Sequence, residues 1–533
     1  MSTDENMKRS QRKILIVGAG PSGLMMACKL ALHKIPFRLI DKKTEPSVHS
    51  NALIIHSKTL EIFAQMGLAR QAIDQGAIVN AVSVYFNGKL VSRIDLRGIG
   101  NKVSRFPYIL LLEQSKTEHL LRQFLQRAGY EPGWGTELTG LINKTDEVIA
   151  VLRSATGAIR KMSVPFLIAA DGGKSTVRRA LNIRFNGKTH NESPFIIECR
   201  SKMQLPPDEI RFLFSGSASA GLFPLHDGNV RIDASLQEKG FRKGKIRFED
   251  VQKVFDSRIK MKLGIHNPGF FSSFHSRRRY AVDFRSNRCF LVGDAAHVHS
   301  PVGAQGMNNC LQDAHNLAWK LAFVMQNKLD PEILDTYQQE RKPVARRTSL
   351  TTDRFYRLIA SPGLLYRMLR MALLPALIRQ FSRLLQKEFW GNRVFRSISG
   401  TGTAYGKNIL CSDQYRSAGR KAPGPGERLP HFEYQTNGEK KNIRDRVHYT
   451  GFHLLVFRDR NADGTANMVN KYGGLITFEV IPPVSGTEDL YRAFGMDSGG
   501  WYLIRPDFYI AARSDERGYK NLEKYLQRIF CQL

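Results

Sequence analysis

The chain has 533 residues, of which 42% are hydrophobic and 24% are charged. This composition is that of a globular protein, and it excludes collagen-like, disordered and disulfide-stapled chains. At about 100–200 residues per domain, the length predicts two to four domains. Six cysteines are scattered without a C-x-x-C pair. That pattern argues against a structural zinc site or a dithiol redox centre, and it fits a reducing compartment.

The formal net charge of +32 raises the question of a nucleic-acid partner. The basic residues are spread along the whole chain, however, and no helix-turn-helix, zinc-finger or aromatic RNA-binding signature accompanies them. We therefore interpret them as a solvated basic surface and expect no nucleic-acid partner. Residues 14–32 are broken by glycines, Pro21 and Lys29, and no run of about 18 apolar residues occurs. The sequence thus predicts a soluble, cytoplasmic protein.

The first motif follows a polar segment, residues 1–12, which we expect to be a flexible tail. Residues 13–17 are apolar and β-branched and lead into the pattern G-x-G-x-x-G. An apolar helical segment, 24–32, and a second strand, 37–40, come next. This order predicts a β-turn-α-β unit.

The glycines of this motif are Gly18, Gly20 and Gly23. In a dinucleotide site the first permits a tight turn, the second lets a pyrophosphate approach the backbone, and the third lets the helix pack on the strand. Asp41 ends the second strand, where a carboxylate binds a ribose hydroxyl. The motif predicts a dinucleotide site but does not separate FAD from a nicotinamide dinucleotide.

Two later strands, 166–170 and 289–292, end in Asp171-Gly172-Gly173 and in Gly293-Asp294. A carboxylate at a strand end can accept hydrogen bonds from a sugar-like hydroxyl chain. The second strand is followed by a Pro/Gly loop and a predicted helix over 307–325. Such a loop lets backbone N–H groups approach a flat ring, and the helix N-terminus stabilises negative charge there.

The rest of the chain adds further strands and helices. Residues 82–86, 221–224 and 230–234 read as strands, and 116–128 read as a helix. Residues 354–396 carry nine Lys or Arg and one acid, Glu388, and Pro362 and Pro375 divide them into short helices. After the Gly/Pro-rich residues 418–430, we expect a strand at 452–457, a hairpin over 501–512 that turns at 505–507, and a final helix from Tyr519.

Three strings, GAGPSG, ADGGKSTVRRAL and FLVGDAAHVHSPVGAQGMNNCLQDAHNLAWKLA, resemble the FAD-dependent aromatic hydroxylase family of single-component flavoprotein monooxygenases. The phenol hydroxylase-like branch is similar also at LDTYQQERKP and at GERLPH, FHLLVF and LIRPDFYIAAR. The resemblance implies an α/β fold with a Rossmann-like FAD-binding domain and an inserted mixed-sheet substrate domain. It also implies a thioredoxin-like C-terminal domain without redox cysteines.

We expect the FAD-binding domain over 13–350, with substrate-binding insertions at about 80–110 and 185–280. A basic helical segment that packs on the core is expected over 351–417, and the C-terminal domain over 418–533. The resemblance implies the following cofactor-binding residues: Gly18, Gly20, Ser22 and Gly23 at the pyrophosphate, Asp41 at the adenosine ribose, Gln114 and Asp294 at the ribityl-phosphate region, Gly306, Met307 and Asn308 against the isoalloxazine ring, and Asp171 at FAD or NAD(P)H. It also places the Pro301 carbonyl near the face that reacts with oxygen.

This chain departs from the family pattern at three positions. Asn51 stands where many relatives have Arg, and Ala304 replaces the second Gly of the usual GGQG. Leu53 stands where some phenol hydroxylases have an Asp that helps to deprotonate phenol, so no catalytic base is assigned. We interpret His297 and His299 as loop histidines rather than metal ligands, and we expect no metal.

The implied activity is hydroxylation of a phenol-like or polycyclic aromatic substrate with NADH or NADPH and O₂, through a flavin hydroperoxide. A homodimer is compatible with this interpretation. Flavin halogenases share the first motif but typically carry W-x-W-x-I-P, which is missing here. The sequence is also compatible with a peripheral-membrane hydroxylase of quinone-like lipids that docks through 354–396, and with a non-enzymatic flavin redox sensor or partner-binding protein. We expect the basic helices to pack on the core rather than to bind lipid.

Overall fold

The structure is a computed structural model that describes residues 13–48, 50–189, 195–215, 218–236, 248, 252–253, 255–273, 277–299, 303–360, 373–414, 422–436, 438–448, 450–458, 462–515 and 519–530. The expected tail, residues 1–12, lies outside this part of the chain. No described helix is long and apolar enough to cross a membrane.

Strands before residue 300 form the sheets of the N-terminal part. They are β1 (Ile14–Val17), β2 (Phe37–Ile40), β3 (Ile54–Ile55), β4 (Ala77–Val79), β5 (Ala81–Phe86), β6 (Lys89–Asp95), β7 (Ile109–Leu111), β8 (Thr136–Asn143), β9 (Val148–Ser154), β10 (Ile159–Val164), β11 (Leu167–Ala169), β12 (Phe185–Thr189), β13 (Phe195–Ser201), β14 (Glu209–Phe214), β15 (Ala218–Pro224), β16 (Val230–Leu236), β17 (Ile265–Ser273), β18 (Arg277–Ala281), β19 (Arg285–Ser286), β20 (Cys289–Leu291) and β21 (His297–Val298).

The helices that accompany these strands cover the sheets and continue to residue 398. They are α1 (Pro21–Leu32), α2 (Ser57–Ala64), α3 (Ala69–Gln75), α4 (Gln114–Arg127), α5 (Thr176–Ala180), α6 (Gln305–Met325), α7 (Asp335–Ala360), α8 (Leu374–Leu385) and α9 (Glu388–Ile398). Pro375 lies in the first turn of α8, where proline is tolerated because that N–H has no helical partner. Pro362 lies outside the described residues.

The first sheet has the order β19-β20-β11-β1-β2. All pairs from β20 to β2 are parallel, and β19 is an antiparallel edge. All four residues of β1 are buried, as expected for a parallel sheet covered on both faces. Helices α1 and α6 pack against each other. The Rossmann-like fold predicted from the sequence is confirmed, and the carboxyl ends of its parallel strands share one edge.

A second, mixed sheet has the order β17-β13-β16-β15-β14-β5-β6. Its strands come from two separate stretches of the chain, 81–95 and 195–273, and β5 pairs in parallel with β14. The predicted strands at 82–86, 221–224 and 230–234 are therefore β5, β15 and β16. This sheet, named the mixed sheet below, provides the mixed-sheet layer that the sequence predicts.

The C-terminal elements form a thioredoxin-like domain. They are β22 (Ser412–Asp413), β23 (Glu433–Thr436), β24 (Glu439–Asn442), β25 (Phe452–Phe457), α10 (Ala462–Asn470), β26 (Ile476–Ile481), α11 (Glu488–Phe494), β27 (Gly500–Ile504), β28 (Ile510–Ser514) and α12 (Tyr519–Ile529). The order β28-β27-β25-β26, with β25 and β26 parallel and β27 antiparallel to β25, is that of a thioredoxin fold. The predicted hairpin at 501–512 is β27 and β28. Cys411 is a free thiol, and Cys531 lies outside the described residues.

Two buried ion clusters join this domain to the rest of the chain. In the first, Glu61 of α2 pairs with Arg428 and with Arg444, whose Nη1 lies 2.6 Å from the carboxylate. In the second, Glu340 of α7 lies 2.6 Å from Arg505 and 2.7 Å from Lys320. Both carboxylates are buried, so each depends on its cations for compensation.

Candidate cofactor site

Four of the predicted site residues follow four adjacent parallel strands. Gly18 follows β1, Asp41 follows β2, Asp171 comes just after β11, and Asp294 comes just after β20. Because the carboxyl ends of parallel strands meet at one edge, these residues converge on the crevice where open α/β sheets bind ligands. The structure thus brings together segments that are up to hundreds of residues apart in sequence.

The three glycines of the first motif have the backbone geometry that a pyrophosphate cradle requires. Gly18 has a φ of +104°, and a Cβ there would overlap the carbonyl group of Ala170. A Cβ on Gly23 would overlap the carbonyl oxygen of Gly18, whereas one on Gly20 meets no atom of the described residues within 4 Å, its chain neighbours aside. Gly20 is the N-cap of α1 and no side chain caps this helix. Its first N–H groups can therefore face an anion.

Asp41 is fixed beside this loop by two backbone hydrogen bonds. The N–H of Ala19 donates to its Oδ2 at 2.8 Å, and the N–H of Lys43 donates to its Oδ1 at 2.9 Å. Each carboxylate oxygen can accept a further hydrogen bond. The carboxylate is thus oriented next to the glycine loop, where an acceptor for a ribose hydroxyl fits.

Asp171 caps the short helix α5 with one oxygen and keeps the other free. Its Oδ2 accepts from the N–H groups of Thr176 at 2.7 Å and Val177 at 3.1 Å. Its Oδ1 is buried and accepts no hydrogen bond from the described residues. Burial raises the pKa of this carboxyl group. An unused buried acceptor costs free energy unless a ligand supplies a donor.

Asp294 lies in the turn after β20, and the residue as a whole is exposed. Protein nevertheless surrounds its carboxyl group closely, and the resulting desolvation raises the pKa of that group. The thiol of Cys310 on α6 donates to its Oδ1 at 3.5 Å. A Cβ on the preceding Gly293 would overlap the hydroxyl oxygen of Ser22. Ser22, Gly293 and Asp294 are therefore neighbours, and the first and third motifs form one site.

A buried network that the sequence analysis did not identify holds this turn in place. Asp313 accepts from the N–H of Gly293 at 3.1 Å, from His297 Nε2 at 2.6 Å and from Arg341 Nε at 2.7 Å. Burial alone would raise the pKa of Asp313, but the charges of His297 and Arg341 outweigh it and lower the pKa to about 2. His297 therefore has a structural partner in Asp313. The sequence signal that could have revealed this network was Arg341, which lies in the LDTYQQERKP string.

At the N-terminus of α6, the side chain of Asn308 acts as a clamp that joins residues 54–59 to Ala304 through hydrogen bonds. Its Oδ1 accepts from the N–H of His56 at 2.9 Å and from Thr59 Oγ1 at 2.7 Å. Its Nδ2 donates to the carbonyl groups of Ile54 at 2.9 Å and Ala304 at 3.0 Å. The side chain is wholly buried, so its amide orients the loop and any contact with a ring comes from its backbone.

The other predicted residues of this helix end lie beside that clamp. Met307 is buried, and a Cβ on Gly306 would meet no atom of the described residues within 4 Å, its chain neighbours and its own helix aside. The surface over Gly306 is therefore open to a flat ligand. Pro301 lies outside the described residues.

Residues 50–56 connect the mixed sheet to this helix end. Arg231 of β16 is buried, and its Nη1 and Nη2 donate to the carbonyl groups of Ser50 at 2.8 Å and Asn51 at 2.7 Å. Gln114 accepts from the N–H of Ala52 at 3.3 Å and donates to Glu118 at 2.8 Å. Arg231 was not predicted, because its partners are about 180 residues away in sequence.

Ala304, the residue that departs from the family pattern, has a φ of +49°. A residue with a Cβ is strained in this left-handed region by about 1–2 kcal/mol, and glycine is not. Ala304→Gly is therefore expected to raise the free energy of unfolding by about 1 kcal/mol, measured by urea denaturation. Ala376→Gly in α8 is the control and should lower it by up to about 1 kcal/mol. A loss of stability in Ala304→Gly would contradict the assigned strain.

Comparisons with known proteins identify the family of this chain. Residues 11–352 match the FAD binding domain family, and residues 422–532 match the C-terminal domain of aromatic-ring hydroxylases. The two matches together cover most of the chain.

Similarity to individual enzymes also extends over the full length. The chain is 32% identical over 540 residues to 6-methylpretetramide 4-monooxygenase of Streptomyces rimosus, covering 97% of this chain and 93% of that enzyme. It is 27% identical over 528 residues to pentachlorophenol 4-monooxygenase of Sphingobium chlorophenolicum, covering 94% and 93%. The structure of the anhydrotetracycline hydroxylase OxyS from Streptomyces rimosus matches with a TM-score of 0.76 and 25% identity, covering 97% and 99%. The chain therefore belongs to the FAD-dependent aromatic-ring hydroxylases, and it is a monooxygenase that uses FAD as its cofactor.

Proposed function

We propose that this enzyme hydroxylates a polycyclic phenol with NADH or NADPH and O₂. The observation that carries the proposal is the convergence of four parallel-strand ends with the N-termini of α1 and α6 at one edge. The redox chemistry, hydride acceptance from the nicotinamide and electron transfer to O₂, would be supplied by bound FAD. The protein contributes binding, orientation and exclusion of water.

In this proposal the pyrophosphate lies on Gly18, Gly20, Ser22 and Gly23, and Asp41 accepts a ribose hydroxyl. Further residues complete the assignment: Asp294 and Gln114 at the ribityl-phosphate region, the free oxygen of Asp171 at the cofactor or the nicotinamide, Gly306, Met307 and Asn308 under the ring, and the Pro301 carbonyl at the oxygen-reacting face. The positive end of the long helix α6 stabilises negative charge on a reduced ring.

The substrate would lie between the mixed sheet and residues 50–56. An apolar cluster occupies this junction, and it contains Leu53, Phe223 and Leu225. Apolar walls suit an aromatic substrate and exclude water from the reacting atoms. Leu53 is buried in this cluster, and we assign no catalytic base at this position.

The named relatives favour a fused-ring substrate over a single ring. Two of them, a 6-methylpretetramide monooxygenase and an anhydrotetracycline hydroxylase, carry polycyclic substrates in their names, and the first matches at higher identity than the pentachlorophenol enzyme. They support the hydroxylase interpretation over a quinone-lipid hydroxylase or a redox sensor. We also place the enzyme in the cytoplasm, where NAD(P)H is available and the free thiols of the described cysteines are stable.

The test is turnover by the purified, FAD-saturated enzyme. Tetracyclic phenols, chlorinated phenols and non-phenolic aromatics are compared as stimulators of NADH and NADPH oxidation, and the best is then oxidised under ¹⁸O₂. We expect the tetracyclic phenols to stimulate most and the product to carry one labelled oxygen. Oxygen from water, or peroxide alone with every compound, would overturn the proposal.

Gly306→Val tests the position of the ring. The Cβ of the added side chain meets no atom of the described residues, so the protein should fold while its ring site narrows. We expect hydroxylated product per NAD(P)H to fall by about tenfold, which corresponds to about 1.4 kcal/mol, with a matching rise in peroxide or loss of FAD. Gly406→Val, at another open glycine, should change neither. Unchanged coupling in Gly306→Val would contradict the ring assignment.

A further inference from the structure

Helices α8 and α9 present an exposed apolar stripe on the surface of the enzyme. The relative exposures of its members are Leu373 52%, Leu377 56%, Phe381 46%, Phe389 68% and Trp390 44%. The first three recur every four residues and so lie on one side of α8. Large apolar side chains scattered singly over a surface are ordinary, but a contiguous group marks an interaction site.

The adjoining side of α8 already has a partner. Leu374 and Ile378 pack against the apolar cluster of Val84, Phe86 and Phe214 on the mixed sheet. The side chain of Gln386 also donates to the carbonyl group of Asp95 at 3.1 Å. The packing predicted from the sequence thus accounts for one side of α8 and leaves the stripe facing outward.

Helix α9 is anchored as well. Phe395 and Gly391 are buried, and Asn392 accepts from the N–H of Gly100 at 3.1 Å. Phe389 and Trp390 nevertheless point away from this anchor, and their rings contact each other edge to face at 5.6 Å. The two helices therefore form a fixed platform whose apolar stripe remains exposed.

Basic side chains surround the stripe. They are Arg383, Lys387, Arg393 and Arg396, and all are exposed. Arg379 instead donates from its Nε to the carbonyl group of Val91 on the mixed sheet at 3.4 Å. No salt bridge joins any of these cations to an acid within the described part of the chain. The one acid of this segment, Glu388, already pairs with Lys102 at 2.7 Å. The surface is therefore apolar and strongly basic, and we name it the α8–α9 face.

We propose that the α8–α9 face docks the enzyme on anionic lipid bilayers. Aromatic and aliphatic side chains bordered by Arg and Lys are the pattern of helices that lie in the membrane interface, with anionic headgroups paired to the cations. A second copy of this chain is a poor occupant, because the same basic face would meet itself on a chain of net charge +32. The inference does not depend on the identity of the aromatic substrate.

Flotation of the FAD-loaded, full-length enzyme with vesicles tests the proposal. One vesicle preparation contains phosphatidylcholine alone, and the other contains phosphatidylcholine mixed with phosphatidylglycerol. We expect binding to the mixed vesicles at low salt, weaker binding at high salt because the charges are screened, and little binding to phosphatidylcholine alone. Failure to bind mixed vesicles at low salt would overturn the proposal.

Two variants separate the apolar and the basic contributions. Leu377→Ser with Phe381→Ser removes part of the stripe, and Arg383→Glu with Arg393→Glu reverses two charges. Each is expected to weaken partitioning by about tenfold or more. The matched control is Ile159→Ser with Arg160→Glu on β10, which changes an exposed apolar residue beside an exposed base elsewhere. The control should bind vesicles like the unaltered enzyme.

FAD content and NAD(P)H oxidation without vesicles should be equal in all these proteins, which reports correct folding. Wild-type partitioning in the serine variant would overturn the proposal, because it would show simple charge attraction, as to any acidic surface. Sedimentation analysis tests whether a second copy of this chain occupies the face instead. A dimer that dissociates in the serine variant would assign the face to a second copy and would also overturn membrane docking.

Discussion

Gly20→Val is expected to fold normally and to lose roughly 100-fold in FAD affinity, or about 2.7 kcal/mol. Gly20 has a φ of −79° and an extended ψ of −173°, which valine adopts without strain. A Cβ there meets no atom of the described part of the chain within 4 Å, apart from its two chain neighbours. The added side chain would instead occupy the space in which a pyrophosphate approaches the N-terminus of α1. The measurement is titration of the apoprotein with FAD, followed by quenching of flavin fluorescence.

Two further glycine variants serve as controls, one for FAD affinity and one for folding. Gly406→Val has the same open space around its Cβ but lies outside the strand edge, so its FAD affinity should be unchanged. Gly23→Val places a side chain on the carbonyl group of Gly18 and should lower the thermal midpoint even of the apoprotein. Normal FAD affinity in Gly20→Val would contradict the placement of the pyrophosphate.

Arg505→Met is expected to lower the free energy of unfolding by about 3–5 kcal/mol. The guanidinium lies 2.6 Å from Glu340 and 2.6 Å from Asp507, and all three side chains are buried. Methionine fills much of the volume but carries no charge, so two buried carboxylates would depend mainly on Lys320. The expected loss reflects the uncompensated carboxylates more than the net value of the original pairs.

Arg492→Met is the matched control in the same domain. Arg492 lies 2.9 Å from Asp489, but both side chains are exposed to solvent, so its removal should cost about 0.5 kcal/mol or less. Urea unfolding of both variants at saturating FAD, followed by circular dichroism, gives the comparison. Equal stability of the two variants would show that the buried cluster does not hold the C-terminal domain to the rest of the enzyme.

The position of this cluster also links the two parts of the enzyme. Glu340 binds Arg505 of the C-terminal domain, and its neighbour Arg341 binds Asp313, which accepts from the N–H of Gly293 in the cofactor site. One turn of α7 therefore contacts both the C-terminal domain and the network that holds the cofactor site. This arrangement explains why a C-terminal domain far from the glycine loop is structurally continuous with the FAD-binding fold.

Local sequence was sufficient to predict the β-turn-α-β unit that carries the glycine motif. The run of apolar residues before Gly18, the glycine spacing and Asp41 all lie within one β-turn-α-β unit. Its geometry depends on backbone dihedral angles and hydrophobic periodicity over neighbouring residues. The thioredoxin-like hairpin at 501–512 was predictable for the same reason, since apolar runs flank a Pro-Asp turn.

Only the tertiary structure decided which side chains support that site. Asn308 binds His56 from 252 residues away, and Arg231 binds Ser50 from 181 residues away. No periodicity in the sequence encodes such pairs, because they form only after separate elements pack together. The same is true of α8: its sequence shows an apolar helix with basic residues, but only its packing on the mixed sheet decides which apolar residues are buried. Local patterns specify elements through short-range sterics, whereas burial and ion pairing depend on contacts between segments distant in the chain.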